Sequence, residues 1–106
     1  MGSVLSELRA AMDRLRESLR SQMKTMEADL RKDPFPHQAL MTELWRAGSE
    51  WSKVEKYHRD FLALTEGEQA EDEYLAHREF NTHYIDVTDQ VQDAIDGHQL
   101  EKEARS

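Results

Sequence analysis

LMTELWRAGSEWSKVEKYHRDF, residues 40–61, places Leu40, Leu44, Ala47, Trp51, Val54, His58 and Phe61 at alternating steps of four and three. An α-helix turns every ~3.6 residues, so that alternation lays them along one helical face. A half-buried strand would instead alternate every ~2 residues. Met41, Trp45, Tyr57, Leu62 and Leu64 flank the stripe. The apolar face is therefore wide enough for two neighbours. Gly48 stands between Trp45 and Trp51, where it leaves room for a bulky side chain.

The same rhythm continues on both sides. Residues 4–31 carry Leu5, Leu8, Met12, Leu15, Leu19 and Met26, with Gln22 filling the vacant seam position and Met23 and Leu30 beside it. This is a heptad seam, and Ser3 is placed to cap it. Residues 69–98 carry His77, Phe80, Tyr84, Val87, Val91, Ala94 and His98, with Tyr74 and Ile95 alongside. Pro34 and Pro36 break the first segment from the second, since neither suits a helix interior. Asp33 is expected to cap a second helix running from Pro34 to Glu66. Gly67 is expected as a left-handed residue just past its end. The third helix is expected to fray at Gly97, leaving residues 99–106 as a polar tail.

Short turns between three such helices predict an all-α fold, an up-down-up antiparallel bundle forming a single helical domain over residues 1–106. Pairing around Gly67 sets opposite each other residues whose numbers sum to about 135, an estimate from hairpin geometry. His58 then faces His77, Trp51 faces Tyr84, and Leu44 faces Val91. Charge supports packing of the first helix on the third. Residues 1–32 hold seven basic and five acidic groups, net +2; residues 67–106 hold three and eleven, net −8. Arg9 and Arg16 flank the first seam, where they can meet acids of the third helix.

Composition narrows the function. The 106 residues carry a net charge of −8, which disfavours phosphate and makes nucleic acid an improbable partner. There is no cysteine, so thiolate and disulfide chemistry are excluded. No run reaches the ~18 apolar residues of a membrane span, and the N-terminus lacks a signal-peptide layout. A soluble, cytoplasmic protein is expected. Glycine-rich phosphate loops, the Gly-x-Ser-x-Gly elbow and the His-Glu-x-x-His motif are all missing. No catalytic residue, cofactor or metal ligand is therefore expected.

Facing histidines remain of interest. His58 and His77 form a candidate pH-sensitive pair; His37, His83 and His98 are scattered. Glu71-Asp72-Glu73 is expected to stabilise a helix N-terminus and to face solvent. The basic residues from Arg16 to Lys32 are diluted by Glu17, Glu27 and Asp29, and so read as a solvated face. Trp51, Phe61, Phe80 and Tyr84 fall on the seams as core. Trp45 falls off them, against the first helix or on a partner surface. Leu15, Leu19, Met23, Leu30, Met41 and Trp45 are the candidate interaction residues, because they exceed what one seam needs. They point to self-association as a homodimer or higher, or to another helical protein.

The run Glu43-Leu44-Trp45, Tyr57-His58-Arg59-Asp60-Phe61, Ala70-Glu71-Asp72-Glu73-Tyr74, Phe80 and Tyr84-Ile85-Asp86 resembles the N-terminal helical region of Gag-like polyproteins of Bel/Pao-type retrotransposons. In that family an aromatic, apolar helix ends in a short acidic turn. The next helix then carries an acid, a Tyr, a Phe and a second Tyr, here Asp72, Tyr74, Phe80 and Tyr84. The resemblance spans residues 4–98 and implies self-association during particle assembly. It brings no capsid core, zinc knuckle, protease or polymerase within these residues, so a Gag role would belong to a fragment or a domesticated relative. The alternative is a spectrin-like three-helix adaptor or spacer, although the first helix lacks the Trp common in such repeats.

Overall fold

Ser3 accepts a hydrogen bond from the Ser6 amide through its side chain and so starts the first helix. The computed structural model describes residues 3–105, which form α1 (Val4–Asp29), α2 (His37–Ala63) and α3 (Glu68–Ala104). The protein is an all-α three-helix bundle, a rod of 60 × 23 × 18 Å.

The helix ends differ from those expected. α2 starts at His37 and not at Pro34, with Pro36 at its N-cap and no side-chain cap from Asp33. Both Asp33 and Phe35 precede a proline, and a residue before proline is driven out of the helical region. Phe35 turns inward instead and packs on the core. At the second turn α2 ends at Ala63, and Gly67 is the N-cap of α3, not the residue following α2. Gly67 has φ of 66°, a backbone angle that side chains disfavour. α3 passes through Gly97 and reaches Ala104, so most of the expected tail is helical. Gln92 bonds Asp96, and Gln99 bonds Glu103, each one turn on, which supports the extension. Lys102 in the last turn complements the negative helix end.

The core follows the alternating stripes. Leu19, Met23 and Met26 of α1 meet Leu40, Ala47, Trp51 and Val54 of α2 and Phe80, Val87, Val91 and Ile95 of α3. Leu15, Leu30, Leu44 and Tyr84 pack on this cluster while partly buried. The expected register holds where aromatic rings report it. Trp51 and Tyr84 stack with ring centres 4.7 Å apart, and the Tyr84 hydroxyl lies beside Gly48. α1 folds onto its own chain, so Leu15, Leu19, Met23 and Leu30 are core rather than partner surface. Leu19 is fully buried and Met23 is 1% exposed. Trp45 takes the other course, at 75% exposure.

This contrast sets a stability test. Trp51→Ala should cost ~3–5 kcal/mol, because a buried indole leaves a cavity. Trp45→Ala should cost under about 0.5 kcal/mol, as surface changes generally do. Urea unfolding of the two variants measures both, and equal losses would contradict the register.

Candidate functional site

Glu73 is the polar centre of the bundle. It belongs to the acidic first turns of α3 expected to face water, yet its side chain is 0% exposed. The reason is phase. Glu73 lies four residues before His77 and seven before Phe80, so it shares their inward stripe. Glu71 and Asp72 fall outside that phase and remain exposed.

A buried carboxylate requires partners. Arg16 of α1 supplies two parallel bonds, Nη1 to Oε1 at 2.8 Å and Nη2 to Oε2 at 2.9 Å. His58 of α2 hydrogen-bonds Oε2 through Nδ1. One carboxylate thus joins all three helices. Arg16 meets the third-helix acid that charge asymmetry suggested. Arg9 instead places its guanidinium over the Phe61 ring, 4.8 Å from its centre.

The proton positions follow from donor chemistry. Arg16 can only donate. Its Nη2 also reaches His77 Nδ1 at 3.3 Å, so that nitrogen accepts and carries no proton. His58 Nδ1 faces a carboxylate oxygen and therefore donates. The two imidazoles lie parallel, with ring centres 3.7 Å apart and planes 9° apart. Trp51 covers the other side of His77 at 5.1 Å, and Tyr74 meets His58 edge-on.

These surroundings shift the titrations. Burial, followed by the charges of His58 and Arg16, pulls His77 down to about 4. Burial pushes Glu73 up, but the hydrogen bonds and charges of Arg16 and His58 outweigh it and hold the carboxyl below its ordinary range. Farther along the rod, the Lys32 ammonium, 2.7 Å away, holds Asp29 low. Burial, then Asp29, raises Glu43.

Donor atoms of His58, Glu73 and His77 lie within 4.8 Å of one another, a set of the kind that binds zinc. Here both carboxylate oxygens already accept from Arg16. The parallel rings direct their nitrogens along separate planes, and a dication would stand beside a fixed guanidinium. This geometry suits a proton-binding network better than a metal centre.

A second histidine pair was not evident from sequence. His37 and His98 bring their Nδ1 atoms to 3.0 Å at the far end of the rod, beside Phe35. Met41 and Trp45, with Leu44, Gln92 and Ile95, line an open groove between α2 and α3. Of the candidate interaction residues, only Met41 and Trp45 are exposed; Met41 is 46% exposed. Among the described residues no helix is long and apolar enough to cross a membrane. Comparison with family models, curated proteins and solved structures finds no match.

Removing one partner of the central pair should be costly. Glu73→Ala leaves Arg16 buried and uncompensated, with an expected loss of ~3–5 kcal/mol. Arg16→Met combined with Glu73→Leu removes both charges and should restore most of that stability. Denaturant unfolding of the three proteins tests this, and additive losses in the double variant would count against a direct pair.

Proposed function

We propose that this chain is a non-enzymatic helical module that associates with a second copy of itself, as the Gag-like resemblance implies. The observation that carries the reading is Trp45. An indole 75% exposed beside exposed Met41, over a groove floored by Leu44 and Ile95, is an apolar surface of the type proteins cover with partners. Tryptophan is also the residue most enriched among dominant interface contacts. The same face on a second copy supplies its complement, and two-fold pairing is the commonest outcome for a self-complementary surface. No enzymatic role is proposed, because both oxygens of the buried Glu73 carboxylate are already engaged by Arg16 and His58.

Light scattering across micromolar concentrations tests the proposal. The mass should rise toward that of a dimer with concentration. Trp45→Asp with Met41→Asp should hold the chain monomeric while leaving its helical circular-dichroism signal intact, since neither side chain belongs to the core. A strict monomer at high concentration would overturn self-association and favour the spacer reading.

A further inference from the structure

The buried polar cluster divides the bundle unequally. On one side lies the continuous apolar core from Leu19 to Ile95. On the other, beyond Arg16 and His58, Met12 and Phe61 are buried outside that core. The short end thus buries fewer apolar side chains than the main core. It is held by the polar bonds of Arg16, His58 and Glu73, by the stacked rings of His58 and His77, and by Arg9 over Phe61.

We propose that His77, with Arg16 and Glu73, forms an acid-operated latch that releases the short end of the bundle while the main core stays folded. The groups facing His77 are Arg16 from α1, His58 and Trp51 from α2, and Glu73 one turn before it on α3. Its Nδ1 accepts from Arg16 Nη2, so a proton on that atom abolishes the bond. The new cation would stand between the Arg16 guanidinium and the His58 ring. His58 behaves differently, because its Nδ1 already donates to Glu73. Adding a proton to its other nitrogen breaks no bond of the cluster. His77 is therefore the trigger of the two.

The sign follows from proton counting. His77 titrates at about 4 in the closed bundle and at an ordinary 6.5 when released. The open form binds the extra proton more tightly, so acid favours opening between those values. Above 6.5 proton binding contributes nothing to opening. Below it the ratio of open to closed rises by up to about tenfold per pH unit, reaching about two orders of magnitude near pH 4. Glu73, held low, reinforces this at the acid end. Raised Glu43 titrates in the opposing sense, and His37 pairs with His98, both beside the main core. Whole-molecule melting would mix these effects, so the readout must be local. The latch does not depend on self-association and works within one chain.

Amide hydrogen exchange by NMR on the full chain, corrected for intrinsic rates, tests it from pH 7 to 4.5. Protection at Met12, Arg16 and Glu73 should fall by ten- to a hundredfold, while Val54 and Val91 keep theirs. The His77 ring should titrate below 5.5. His77→Gln offers Arg16 an acceptor that cannot be protonated, so protection there should be flat with pH. His58→Gln should retain the acid dependence. Unchanged protection at Met12 and Glu73 down to pH 4.5 would overturn the latch, as would a His77 ring titrating near 6.5. These outcomes stand if the protein is monomeric throughout.

Discussion

The Arg16–Glu73 pair is the constraint to which the rest of the structure conforms. Apolar stripes on helices tolerate sliding, because one leucine replaces another at little cost. A fully buried carboxylate does not, since a shift by one turn would strand a charge. With Arg16, His58 and Glu73 on three different helices, one bidentate contact sets the axial position of each relative to the other two. Such pairs add little net stability over an apolar substitute. Their effect is to select one register among several that hydrophobic burial would accept.

The aromatic stack follows from that register. Tyr84, Trp51, His77 and His58 lie one over the next, alternating between α3 and α2, with planes within 14° of parallel. Stacking places a titratable ring where it is both shielded and close to a guanidinium. The same contact that aligns the hairpin thereby lowers the proton affinity of His77. Structure and acid sensitivity share one physical cause, the burial of polar groups that are adequately bonded in a single protonation state.

The surface left by this packing is uneven. The first helix turns its apolar stripe onto its own chain, with Leu19, Met23 and Met26 buried. Among the exposed apolar side chains, Trp45 and Met41 share one groove, set off the inward stripe by helical phase. The proposed self-association rests on these two residues, and chiefly on the indole.

The alternating steps of four and three in all three segments determined the helices, and the prolines and Gly67 determined where they break. Counting outward from Gly67 also placed His58 against His77 and Trp51 against Tyr84, because hairpin geometry follows from the turn. The helix ends were less legible, since Phe35 docking and the side-chain bonds beyond Gly97 depend on neighbours. Glu73 was open to detection, four residues before His77 on the same stripe. Its charge concealed it, because an acid near a helix start has a sufficient local explanation in the dipole. Only the tertiary structure decided that it is buried, for burying a carboxylate requires an arginine 57 residues away to arrive at the same depth. The fate of Trp45 was likewise settled in three dimensions, because helical phase put it off the seam but only the path of α1 left it uncovered.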